Sequence, residues 1–288
     1  TGGLGGLGLR AAALLRERGA SHVVLSSRSG VVARDGQGLA ERLASLRSSG
    51  GGVQLLACDV GARPHTGCLW WAMARHHEHG VCGTLHAAGS GDRGLVAGVP
   101  RWRLQLVFAP KALAASHVHR TTAQRQVEAM GLFSSVASTF GNVGQANYAA
   151  ANSFLDALAH HRRGVGLPGV SIAWGPWADG GMAAELASAD QARMQRQGFG
   201  ALDTEQGMRL LESAAHQADA LSVSMAFDTR RFQRVLEKNG LEAPALYRNL
   251  VRSGSTGVTS SALRRRLAGL PEAERRHALQ EILRDELA

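Results

Sequence analysis

Tyr148 and Asn152, in GQANYAAANSF (144–154), stand four residues apart. On a helix that spacing puts both side chains on one face, one turn apart. A phenol is a poor acid, with a reference pKa of about 10. A lysine ammonium one turn along would improve it by favouring the phenolate, but the residue there is Asn152. Either the acid has lost its cationic helper, or a lysine reaches it from elsewhere in the fold.

Other residues supply the groups such an acid would serve. Ser134 and Ser135 close the apolar run GLFSSV (131–136), 14 and 13 residues before Tyr148. A hydroxyl at the carboxyl end of a strand lies where open α/β sheets bind ligands. A Tyr–Ser pair is also ordinary hydrogen-bonded structure, and it gains chemical meaning only beside a cofactor site. The opening residues offer one. Gly3-Leu4-Gly5-Gly6-Leu7-Gly8 satisfies GxGxxG, with Gly3, Gly5 and Gly8 in the three motif positions. Such glycines let the backbone approach a pyrophosphate, which a following helix N-terminus stabilises.

After the next strand, NAD-binding sheets carry an acidic residue for the ribose hydroxyls. This sequence has Ser26-Ser27-Arg28. A hydroxyl and a guanidinium suit a 2′-phosphate, which points to NADPH; a solvated Arg after a strand is the plain alternative. Asp59 ends the following strand, where a carboxylate could accept from the adenine amino group or cap a helix. His76, His77 and His79, in RHHEHG, have the i, i+3 spacing of metal ligands but no distant partner set. They read as a solvated helix end, and no metal is expected.

The elements that must position these groups alternate. LGGLGLRAAALLRERG (4–19) reads as a loop entering a helix that Gly19 terminates. HVVLSSR (22–28) is a buried strand, followed by a helix around 37–48 and a strand, VQLLACDV (53–60). A helix over about 66–78, a strand ending in HAAG (86–89) and one long helix near 101–119 come next. The strand at 131–136, the Tyr148 helix to about Arg163 and the strand GVSIAWG (169–175) complete the alternation. Residues 184–202 read as polar helices, and ALSVSMAFD (220–228) as a last strand. Trp70-Trp71 is expected to make a core or lid contact, and Met130, Met182 and Met194 to pack. Strands alternating with helices predict an α/β fold, a Rossmann-like doubly wound parallel sheet. The glycine-rich turn stands at residue 1 with no strand before it, so the sheet is expected to lack its first strand and the chain to be cut from something longer.

Composition narrows the classes. With 288 residues, 44% of them hydrophobic, and 36 glycines, the chain suits one large α/β domain or two small ones. There is no apolar run of membrane-spanning length and no leader pattern, so neither a membrane span nor a signal peptide is expected. Cys58, Cys68 and Cys82 are odd in number and lack CxxC spacing, which fits a reducing, cytoplasmic setting. The net charge of +9 invites an anionic partner. The arginines are scattered without interleaved aromatics, Arg264–Arg266 being the one run, so nucleic acid is not expected.

Taken together, TGGLGGLG, SSR, CDV, HAAG, PKALAASH, LFSSVAS, GQANYAAANSFLDALA and SIAWGPW resemble the ketoreductase domain of type I modular polyketide synthases, over roughly residues 1–235 and in the right order. That family is an atypical branch of the short-chain dehydrogenase/reductases, in which the Lys and Asn have exchanged places. The resemblance implies that Lys111, 24 residues before Ser135, supplies the missing cation. Tyr148 is then the acid, Ser135 a donor to the carbonyl, and Asn152 a residue that holds Lys111 or a water. It implies NADPH at Gly3, Gly5, Gly8, Ser27, Arg28, Asp59, Val60, Ala87, Ala88 and Gly89. The implied reaction is reduction of a β-ketoacyl thioester carried on an acyl carrier protein, the other partners being synthase domains that include an N-terminal structural half. The implied layout is a catalytic subdomain at 1–240, a linker at 241–261 and a helical segment at 262–288 leading towards an acyl carrier domain. A catalytically silent scaffold domain and a free-standing reductase of small carbonyls are the alternatives. Two fingerprints of product configuration are incomplete: the LDD position reads Gly91-Asp92-Arg93, and the Trp position is Phe140.

Overall fold

The computed structural model describes residues 1–32, 38–48, 50–76, 80–125, 127–179 and 194–251, together with positions 192, 270, 271, 274, 275, 278 and 280. His77, His79, Met182, Arg264–Arg266, nearly all of 183–193 and the segment 252–269 lie outside the described residues, as does most of the expected terminal helix. The chain divides into two units, Thr1–Glu185 with Ala201–Met225, and Leu186–Gly200 with Ala226–Ala288.

The first unit is the expected parallel α/β structure. Helix α1 (Gly6–Glu17) leads to β1 (His22–Ser27), α2 (Leu39–Ser48), β2 (Gly52–Ala57), α3 (Arg63–His76) and β3 (Gly83–His86). Gly19 sits at φ +92° just past α1, where its N–H bonds Arg16 O, so the predicted glycine stop is in place. Leu4, Leu9 and Ala12 bury against Val23, Leu25, Leu39 and Leu46, which seats α1 on β1. Of the tryptophan pair, Trp70 is buried with Leu69 and Met73, whereas Trp71 is exposed.

The long helix expected near 101–119 is interrupted. Helix α4 (Arg101–Phe108) passes into a π turn, Ala109–Leu113, and then into α5 (Ala114–Thr122). Pro110 has no N–H to donate, and its ring crowds the carbonyl one turn back, so the helix widens by a residue there. Strand β4 (Ala129–Ser135), the short helix α6 (Val136–Phe140), α7 (Ala146–Gly164) and β5 (Val170–Trp174) follow. Met130 and Leu132 on β4 pack with Ala115 and Val118 of α5 and Leu155 of α7.

The region 220–228 is not one strand. Strand β7 (Leu221–Ser224) pairs in parallel with β5, whereas β8 (Ala226–Phe227) belongs to the second unit and pairs antiparallel with β6 (Phe199–Gly200). A period of two marks both halves but cannot say which sheet each joins. Helix α8 (Thr204–His216) in the first unit was not anticipated, although Asp203 and Gln206 form a capping box that announces it. In the second unit, α9 (Thr229–Lys238) places Phe232 beside Phe199, Phe227 and Tyr247 in an aromatic cluster.

Hydrogen bonding splits the parallel strands into β1-β2 and β3-β4-β5-β7. Thr1 to Gly3 lie in the seam. Gly3 N–H bonds Ser26 O of β1 at 3.1 Å, while Thr1 bonds the β3 side through its amine to Leu85 O at 2.7 Å and its carbonyl to Ala87 N–H at 2.9 Å. Among the described residues, hydrogen bonds join no strand between β1 and β3.

Candidate active site

The carboxyl ends of β1, β3, β4 and β5 converge with the N-terminus of α1. The glycine turn is shaped by contact. Gly2 is at φ +68°, and a Cβ there would fall 2.4 Å from Ala88 N; a Cβ on Gly8 would fall 2.4 Å from Gly2 O. Gly2 is therefore as constrained as the motif glycines, and it was not singled out from the sequence. Gly5 caps α1 without a side-chain bond, and the first helical hydrogen bond runs from Leu9 to Gly5 O at 3.0 Å. The N–H groups of Gly6, Leu7 and Gly8 precede it and face outward along the axis, as a bound phosphate requires.

At the end of β1, Ser26 is buried, Ser27 closes a turn by accepting from Gly30 N–H at 3.1 Å, and Arg28 is exposed. Asp59 Oδ1 accepts from Gly61 N–H at 2.9 Å, so this carboxylate shapes the turn into α3. Val60 packs in the core, and its carbonyl accepts from His117 Nδ1 at 3.0 Å. Ala87, Ala88 and Gly89 leave β3 directly against the seam and the π turn.

The π turn carries Lys111, which is only 3% exposed. Its Nζ donates to Phe133 O of β4 at 2.9 Å and lies 5.4 Å from the centre of the Tyr148 ring. His86, at the end of β3, reaches the carbonyl of Lys111 through Nε2 at 3.2 Å and so braces the turn. Gly89 leaves room for the side chain: a Cβ there would meet Lys111 Cε at 2.9 Å. Burial drives the ammonium down to about 8, Asp156 pulling the other way.

Tyr148 stands in the first turn of α7, packed with Val107, Ala137 and Ala151. Burial raises its phenol above the ordinary tyrosine value, opposed by the side chains of Ser135 and Asn152. The sequence reading had Lys111 lowering this value; in the structure burial outweighs the favouring groups, and the phenol stays protonated. Ser135 Oγ caps α6 by accepting from Ala137 N–H at 3.3 Å. Asn152 is fully buried, its Nδ2 donates to Tyr148 O at 2.7 Å, and its Oδ1 has no well-formed hydrogen bond.

Sequence reasoning missed one group. Asp92 takes Arg103 bidentately, with Nη2 at 2.6 Å and Nε at 3.1 Å, and accepts from Asn147 Nδ2 at 2.6 Å. Asn147 Oδ1 in turn accepts from Tyr148 N–H at 2.8 Å. Gly94 N–H bonds Gly144 O at 2.8 Å, a second tie between the loop after β3 and the entry to α7. The only hint in the sequence was Asp92, the surviving member of the incomplete fingerprint.

A parallel α/β sheet with a phosphate-type glycine turn, and with Ser, Tyr, Lys and Asn drawn together at its carboxyl edge, defines a fold of the short-chain dehydrogenase/reductase class. A family model described as KR domain matches residues 1–179. The chain belongs to that family, the ketoreductase domains of polyketide synthases. It is 40% identical over its whole length to the spectinabilin polyketide synthase system protein NorB of Streptomyces orinoci, of which it spans 13%. It is 36% identical over 95% of its length to the Mycobacterium tuberculosis protein named "Putative inactive phenolphthiocerol synthesis polyketide synthase type I Pks1", of which it spans 17%. Among solved structures, an A-type ketoreductase from a modular polyketide synthase superposes with a TM-score of 0.75 at 37% identity, covering 85% of this chain and 50% of that one. Domains of this family are oxidoreductases that use a nicotinamide cofactor, and the relatives are multidomain synthases. Among the described residues no helix is long and apolar enough to cross a membrane.

Proposed function

We propose that the chain reduces a β-ketoacyl thioester, held on an acyl carrier protein, to the β-hydroxyacyl thioester with NADPH. The observation that carries this reading is the placement of the Lys111 ammonium 5.4 Å from the Tyr148 ring, delivered by a π turn. The residues fit the cofactor. Gly2, Gly3 and Gly8 let the turn pack tightly on Ala88, Leu25 and its own backbone, and the N-terminus of α1 that follows would face a pyrophosphate held by Gly3, Gly5 and Gly8. Ser27 and Arg28 would hold the 2′-phosphate, and Asp59, Val60, Ala87, Ala88 and Gly89 would line the adenine and ribose side. NADPH supplies the hydride when bound.

The chain's own residues handle the proton. A carbonyl carbon accepts hydride only as its oxygen gains a proton or strong donors. Tyr148 holds that proton on a buried phenol. Ser135 donates to the same oxygen. Lys111 favours the phenolate left behind, by charge rather than by contact. Asn152 fixes the backbone of Tyr148, and its buried Oδ1 would hold a water for reprotonation. A silent scaffold domain is the second reading, because one relative bears a name that calls it inactive. The complete set Lys111, Ser135, Tyr148 and Asn152 supports the active one. NADPH oxidation with a β-ketoacyl thioester and with trans-1-decalone decides between them, using the chain joined to the N-terminal structural half that the resemblance implies. No turnover with either substrate would leave the scaffold reading.

A further inference from the structure

Lysine is rare in this protein: among 32 basic residues, only Lys111 and Lys238 are lysines. Lys238 is exposed, whereas Lys111 is 3% exposed. A buried ammonium is costly unless a charge compensates it, and the Phe133 carbonyl that receives Lys111 is neutral.

Helix α7 supplies a charge. Tyr148, Asn152 and Asp156 follow one another at i, i+4 and i+8 on one face, and they are 7%, 0% and 9% exposed. Asp156 Oδ1 accepts from Ser171 Oγ of β5 at 2.6 Å. Strand register sets Ser171 beside Leu132, and Phe133 is the next residue of β4. The carboxylate and the ammonium therefore flank the same β4–β5 junction, one residue apart along the strands, without touching. The other ionisable groups nearby are His86, Tyr148 and the Thr1 amine beside His86, which burial lowers to about 6. Burial holds His86, from β3, neutral by pushing it down to about 3, and Tyr148, from α7, remains a phenol.

We propose that Asp156 is a positioning residue of the site, a buried counter-charge that acts across the β4–β5 junction to keep Lys111 an ammonium beside Tyr148. The electrostatics agree in sign: burial lowers Lys111, and Asp156 is the group that raises it. Without the carboxylate, Lys111 would lose its proton closer to neutral pH. The consequence for catalysis rests on the reductase reading above; the charge coupling itself does not.

The test reads Lys111 directly. With two lysines in the chain, ¹³Cε-labelled lysine gives two NMR signals, and exposed Lys238 serves as the reference. Asp156→Asn should lower the titration midpoint of Lys111 by about one pH unit. Asp156→Glu should restore most of it, and Ser171→Ala, which keeps the charge, should shift it less. An unchanged midpoint in folded Asp156→Asn overturns the proposal. Should that variant not fold, the wild-type Lys111 signal must show a second, smaller step as Asp156 protonates, and its absence overturns the proposal equally. In the NADPH assay the alkaline limb of Asp156→Asn should move to lower pH together with the NMR midpoint. A shifted midpoint with no reductase activity in any variant would instead sink the reductase reading and leave the coupling intact.

Discussion

Under the proposed reading, Tyr148 and Lys111 divide one task between a group that must keep its proton and a group that must keep its charge. Tyr148→Phe removes the donor, and turnover should fall about 10²-fold or more while cofactor affinity measured by fluorescence titration stays nearly constant. Lys111 sets a pH limit. Its folded value is depressed to about 8 by burial, so the ammonium is present below that pH and lost above it. The reduction rate should decline as pH rises through about 8, and Lys111→Met should be slow and show no such limb in a pH–rate profile. Arg28 governs cofactor choice under the proposed reading. Arg28→Asp should raise the KM for NADPH far more than that for NADH; equal changes would mean that Arg28 does not meet the 2′-phosphate. At this scale the sequence was legible where chemistry and spacing coincide, as in Tyr148 and Asn152. Lys111 was reached through resemblance, because no local spacing ties position 111 to position 148. Asn147 and Arg103 were not reached at all, since their partner Asp92 is distant in sequence and only the fold joins them.

Local periodicity served the elements unevenly. Helix α7 was found almost to its ends, and so was the glycine stop of α1, because each rests on adjacent residues. The π turn at Ala109–Leu113 was not, because a widened hydrogen-bond ring keeps the apolar pattern of the helix around it. Yet that turn is the element on which the site depends, and the loop after β3 is shaped to it. Gly89→Ala tests the fit. Its Cβ would meet the far end of a flexible side chain, so the melting temperature should barely move. The ammonium must shift, however, and misplacement of about 1 Å costs up to 10²-fold. A tenfold to hundredfold loss of turnover with unchanged thermal unfolding is expected, and a wild-type rate would show that Lys111 tolerates displacement.

In the whole first unit the strands form two blocks joined through Thr1–Gly3. The block β3-β4-β5-β7 holds strands with neighbours on both sides and the fully buried Leu132 and Ala173. Strands β1 and β2 have one strand neighbour each and are covered by α1, α2 and, through Val24 and Leu56, the α3 cluster of Leu69, Trp70 and Met73. Hydrogen exchange followed by mass spectrometry should therefore show faster exchange over 22–27 and 52–57 than over 129–135 and 170–174. Equal protection would mean that the seam transmits the cooperativity of a continuous sheet. The split itself was not legible in the sequence, because strand periodicity does not say which neighbours a strand pairs with.

The Asp92–Arg103–Asn147 tie also bears on how such domains can be recombined. The loop after β3 is anchored at Arg103 on α4 and at Asn147 beside Tyr148, so its ends in sequence are not its ends in mechanics. A transplant of residues 89–100 alone would carry Asp92 into a host without its two partners. The smallest exchangeable part is the loop together with positions 103 and 147, and crossover points drawn by sequence continuity would cut through it.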